Sequence, residues 1–144
     1  MKRTLADLLE KKGSQIYSIT PDATVYDAVK VMAERSVGAL LVMEGEQLVG
    51  MLSERDYARR VILEGRSSKN TAVREIMTAR VVYGRPEQSV EDAMAIMSEK
   101  KFRHLPVMKD EKVVGIVTLG DAVKELLSEK EFLIEQLENY ISGC

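Results

Sequence analysis

The chain has 144 residues, 45% hydrophobic and 31% charged, with 21 basic against 23 acidic side chains and a formal net charge of −2. That length is one domain's worth and buries enough surface to fold without metal or disulfide. The near-neutral balance argues against a dedicated nucleic-acid binder, the single cysteine (Cys144) excludes an internal disulfide, and no run approaches the ~20 apolar residues of a membrane span.

Residues 1–14 form an expected N-terminal helical segment, charged throughout and without the apolar core of a secretion signal, so a cytoplasmic protein is expected. A strand follows over Gln15–Ile19, ended by Pro21 because proline cannot continue a paired strand interior. Thr24 then caps a helix, with Asp27 three residues on. Val25, Ala28, Val29 and Met32 recur at i, i+3, i+4, i+7 and make one apolar face. Strands Ala39–Met43 and Gln47–Leu52 read as a hairpin through Glu44-Gly45-Glu46. A second helix starts near Glu54 and closes a first repeat over 15–64. Residues 65–79 form a linker, and its opening stretch Gly65–Thr71 reads as a solvated polar loop.

The same order then returns. Shifted by 65 residues, Pro21 falls on Pro86, Asp27 on Asp92, Met32 on Met97, Val42 on Val107, Gly50 on Gly115 and Asp56 on Asp121. From Pro21 to Asp56, 13 of 36 positions are identical without a gap, which marks a tandem repeat. The second repeat spans 80–127. It has a strand at Arg80–Tyr83, a helix capped by Ser89, strands His104–Met108 and Lys112–Thr118, and a helix from about Leu119. A C-terminal extension covers 128–144. Along the C-terminal segment Asp121–Ile141 a stripe of Val123, Leu126, Leu127, Phe132 or Leu133, Leu137 and Tyr140 either packs on its own domain or meets another subunit. The expected fold is mixed α/β (α+β): two β-α-β-β-α units packed through their sheets with pseudo-two-fold symmetry.

Catalysis has little support. His104 is the only histidine, so no multi-histidine metal site exists. No phosphate-cradling Gly-rich motif and no nucleophile–base pair is present. The eight methionines read as core filler, and Cys144 as incidental.

The segments Val37-Gly38-Ala39-Leu40-Leu41-Val42, Leu48-Val49-Gly50-Met51-Leu52-Ser53-x-x-Asp56, Arg103-His104-Leu105-Pro106-Val107 and Val114-Gly115-Ile116-Val117-Thr118-Leu119-Gly120-Asp121 resemble CBS motifs. The chain as a whole is similar to a standalone CBS pair, or Bateman module, over about residues 14–127. It is similar to a subgroup of single-pair proteins found in bacteria and in plant organelles. The resemblance implies a regulatory sensor and not an enzyme. It implies an adenine ligand (AMP, ADP, ATP, NAD(H) or S-adenosylmethionine), a homodimer and a regulated protein target. The alternative is an interaction module with degenerate ligand sites, against which both aspartates stand.

Ser53-x-x-Asp56 and Thr118-x-x-Asp121 are capping boxes by spacing alone. The resemblance adds a second role, in which each aspartate accepts from both ribose hydroxyls, and a carboxylate's two acceptor oxygens suit a vicinal diol. It also implies clefts built crosswise. One would combine Thr118 and Asp121 with Ile16, Tyr17, Gly38 and Ala39. The other would combine Ser53 and Asp56 with Val81, Val82, Arg103 and His104. Arg103 and His104 match a phosphate-contacting position where the first repeat has Gly38 and Ala39, so the two clefts are expected to differ. Tyr83-Gly84-Arg85 departs from the usual small or β-branched residues before the second proline.

Overall fold

The computed structural model describes residues 3–142, and the side chains among them other than those at 129, 132 and 140–142. Cys144 lies outside the described residues, as do the side chains of Phe132 and Tyr140 from the expected stripe. In chain order the elements are α1 (Leu5–Lys12), β1 (Ser18–Ile19), α2 (Val25–Arg35), β2 (Ala39–Glu44), β3 (Gln47–Ser53) and α3 (Glu54–Tyr57). Within the linker lies α4 (Val73–Ile76), and after it come α5 (Val90–Lys100), β4 (His104–Lys109), β5 (Lys112–Thr118) and α6 (Leu119–Ser142). A π-helical turn, Ala58–Ile62, continues α3, and a 3-10 turn at Ser68–Asn70 precedes α4. The closing helix of the second repeat and the C-terminal extension are one continuous helix, α6.

The chain divides into two compact units, one of residues 15–82 with 110–113 and the other of the remainder. The first holds a three-stranded sheet in the order β1-β2-β3. β1 runs parallel to β2, with Ser18 opposite Leu41 and Ile19 opposite Val42, and β2 pairs antiparallel with β3. Val25, Ala28 and Met32 of α2 pack with Leu40, Val42 and Leu52 of the sheet and with Val73 and Ile76 of α4 in one buried cluster. The apolar spacing of α2 thus points where the 3.6-residue period requires.

The expected first strand of the second repeat does not form. Of Arg80–Tyr83 no residue is in a strand, and pairing is confined to one parallel bridge, Gly84 with Val107. The reason lies in β4. In the first repeat the Leu41 N–H donates to the Tyr17 carbonyl at 3.1 Å. Pro106 stands where Leu41 stood and has no N–H, so the matching carbonyl loses its donor. Only the next pair survives: Gly84 N donates to Pro106 O at 2.8 Å and Met108 N to Gly84 O at 2.9 Å.

The expected solvated loop holds over residues 65–70, which are exposed or half-exposed, but the rest of the linker docks. Thr71, Val73 and Ile76 are buried, and Val73 N and Arg74 N donate to the carbonyls of Ala23 and Pro21. In the other unit α1 does the same for the second repeat: Leu5 N and Ala6 N donate to the carbonyls of Gln88 and Pro86. Segments 3–9 and 71–77 are therefore equivalent, 68 residues apart. Leu5, Leu8 and Leu9 match Val73, Ile76 and Met77, and Asp7 matches Glu75. A Cβ on Gly115 would lie 2.6 Å from Leu9 Cδ2, and one on Gly50 would lie 2.5 Å from Met77 Sδ. At either position a Cβ would require the docked side chain to shift. Each repeat is covered by the segment that precedes the other repeat.

Candidate functional site

Both acidic motifs sit where a strand turns into a helix. Ser53 ends β3 in an extended conformation and caps α3. Its Oγ accepts from Asp56 N at 3.2 Å, while Asp56 Oδ2 accepts from Ser53 N at 2.9 Å and from Ser53 Oγ at 3.1 Å. In the second repeat Thr118 Oγ1 accepts from Asp121 N at 3.0 Å, and Asp121 Oδ2 accepts from Thr118 N at 2.9 Å. The reciprocal bonds fix each carboxylate against its own backbone and leave further acceptor positions for a ligand. The entry of the preceding strand is tied to the same corner. Glu54 N donates to Gly38 O at 3.0 Å, and Leu119 N to Arg103 O at 2.9 Å. Thus Gly38–Ala39 lie beside Ser53 and Arg103–His104 beside Leu119, by one backbone device used twice.

Asp121 carries a partner that sequence reasoning missed. Lys12, at the end of α1, donates from Nζ to Asp121 Oδ2 at 2.5 Å and to the Ile116 carbonyl at 2.7 Å. Partial burial pushes the Asp121 carboxyl up, but the Lys12 ammonium and the Thr118 hydrogen bonds outweigh it and hold the group below its ordinary value. One turn further along α6, Glu125 is buried and paired with Arg3 and with Lys11, the latter at 3.5 Å. Asp121 and Glu125, four apart, present one acidic face of α6 to Arg3 before α1 and to Lys11 and Lys12 in its last turn. The available signal was the match between segments 3–9 and 71–77, which would have assigned α1 to the second repeat.

The remaining expected residues divide by unit. Ile16, Tyr17, Gly38, Ala39, Ser53, Asp56, Val81 and Val82 belong to the first; Arg103, His104, Thr118 and Asp121 belong to the second. Ile16, Tyr17, Val81 and Val82 are half-buried, and the Arg35 guanidinium lies 5.3 Å from the Tyr17 ring centroid. Arg103, His104 and Thr118 line an open groove of about 930 Å³ together with Gly120 and Lys124. The groove follows the first turns of the 24-residue α6, whose Leu119, Val123, Leu127 and Glu131 also line it, so basic, apolar and acidic side chains share it.

Residues 5–63 and 73–128 each match the CBS domain model. The chain belongs to the CBS-domain family. The two matched stretches open at Leu5 and Val73, the first residues of α1 and α4. The CBS domain-containing protein CBSX3 of Arabidopsis thaliana, which is mitochondrial, is 42% identical over 97% of this chain and 72% of its own. A solved structure from Burkholderia ambifaria, described as a signal-transduction protein with CBS domains, is 48% identical. It superimposes with a TM-score of 0.84 over 87% of this chain and 94% of that one. The CBS domain pair of protein MJ0100, solved with 5′-methylthioadenosine and S-adenosylmethionine, shares the fold at 23% identity and a TM-score of 0.74, over 90% of this chain and 99% of its own. No helix among the described residues of this CBS pair is long and apolar enough to cross a membrane.

Proposed function

We propose that this CBS pair is a cytoplasmic regulatory module that binds adenine nucleotides (AMP, ADP, ATP or NAD(H)) and reports their presence to a protein target. The observation that carries the reading is the presence of both strand-to-helix aspartates, each held by a capping box with acceptor capacity to spare. A carboxylate fixed in this way accepts from a ribose diol without reorganising. The adenosine compounds bound to the CBS pair of MJ0100 support the ligand class. The half-buried Ile16, Tyr17, Val81 and Val82 supply apolar surface for adenine, Gly38 and Ala39 let the ligand approach backbone, and Arg103 and His104 supply cations to phosphate. Regulation follows only if ligand favours one conformation over another. The module carries no reaction of its own.

Since only one repeat has the Arg103–His104 pair, the two sites are unlike, and calorimetric titration with AMP is expected to resolve two affinities. Arg103→Ala should weaken one of them and reduce its salt dependence. Two equal sites, both indifferent to Arg103→Ala, would overturn the phosphate role.

The module is also proposed to be a homodimer through α6. Val123, Leu127, Leu133, Ile134 and Leu137 are all at least 41% exposed, a run of apolar surface along one helix. Sedimentation at tens of micromolar is expected to give a dimer, and Leu127→Asp a monomer. A monomeric parent protein contradicts the proposal.

A further inference from the structure

Lys12 is fixed more firmly than a surface lysine. Its Nζ is anchored on the Ile116 carbonyl as well as on Asp121, and its side chain is only 29% exposed. Leu5, Leu8 and Leu9 bury the helix that carries it, and Arg3 and Lys11 grip Glu125 from the same segment. An ammonium has three donors, and two are spent on Asp121 and Ile116. The Asp121 carboxylate is thereby neutralised locally by a charge that does not depend on the ligand. Its repeat partner Asp56 receives its second Oδ2 hydrogen bond from the uncharged Ser53 hydroxyl instead. The same motif thus offers a bare carboxylate-and-hydroxyl corner in one repeat and an ion pair in the other.

We infer that Lys12 is a specificity-determining residue of the Asp121 site, selecting a phosphate-bearing adenosine ligand over a neutral or cationic one. The inference rests on the adenosine reading above. A lone carboxylate beside the ribose repels a 5′-phosphate and attracts a sulfonium, and the paired ammonium reverses both preferences. The two side chains are 29% and 27% exposed, so solvent screens the effect in part.

The test is calorimetric titration of the full chain carrying Asp56→Asn, which weakens the other site so that the tighter binding reports on Asp121. The ligands are AMP, 5′-methylthioadenosine and S-adenosylmethionine, and Lys12 is compared with Lys12→Gln and Lys12→Arg. Lys12→Gln is expected to weaken AMP about tenfold, leave the neutral thioether within about twofold, and tighten the cationic ligand. Lys12→Arg should retain the parent order. A uniform change across the three ligands means that Lys12 acts only by holding α1, and overturns the inference while leaving the adenosine reading intact. If none of the three binds, or if Asp121→Asn alters none of them, the adenosine reading itself falls.

Discussion

Replacing Asp56 and Asp121 together with alanine is expected to lower AMP affinity at each site by tenfold or more. A hydrogen bond to a charged acceptor contributes about 1.5–3 kcal/mol, and every ~1.4 kcal/mol is a factor of ten in affinity. The same carboxylates accept the Ser53 and Thr118 N–H groups, so the alanine variant also loosens two helix starts. Asparagine at both positions separates the two effects. Its amide oxygen still accepts the cap N–H, but it is uncharged and offers only one acceptor oxygen to a diol. The asparagine variant should therefore fold as the parent does, by far-ultraviolet circular dichroism, and still bind AMP weakly. Unchanged affinity in the folded double variant would remove the ribose assignment.

Leu5→Ala is expected to destabilise the fold by about 2–5 kcal/mol, the range for truncating a fully buried leucine. Leu5 is 0% exposed, and a Cβ on Gly84 would stand 2.8 Å from its Cδ1. The same Cβ would stand 3.0 Å from Leu105 Cδ2, so Leu5 fills space beside Gly84 and near the fully buried Leu105. Against a typical total of about 5–15 kcal/mol, that loss shows directly in urea unfolding at fixed protein concentration. Val73→Ala, at the equivalent position on the other repeat, should cost less because two carbons are removed and not three. A change below ~0.5 kcal/mol for Leu5→Ala would show that α1 does not belong to the folded core.

Pattern that is local in sequence carried over into structure. The apolar spacing of α2 and α5, their Thr24 and Ser89 caps, both hairpins and both acidic capping boxes depend on neighbours within a few residues. The 65-residue repeat, with Asp56 and Asp121 at matched places, likewise gave the family without coordinates. Pro106 was visible as well, but its consequence was not. A missing N–H matters only once another strand lies opposite it, and so the strand expected at Arg80–Tyr83 reduced to a bridge at Gly84. The exchange of covering segments was harder to read, because Leu5 packs beside Gly84 and Leu105 from about 80 to 100 residues away. Lys12 on Asp121 spans 109 residues and looks in sequence like one of two adjacent surface lysines. The sequence by itself determined the repeat, the helix caps and the place of each carboxylate, since these rest on short-range periodicity and backbone hydrogen bonding. Only the tertiary structure decided which segment covers which repeat and which cation reaches Asp121, because burial and charge pairing depend on distance in space and not along the chain.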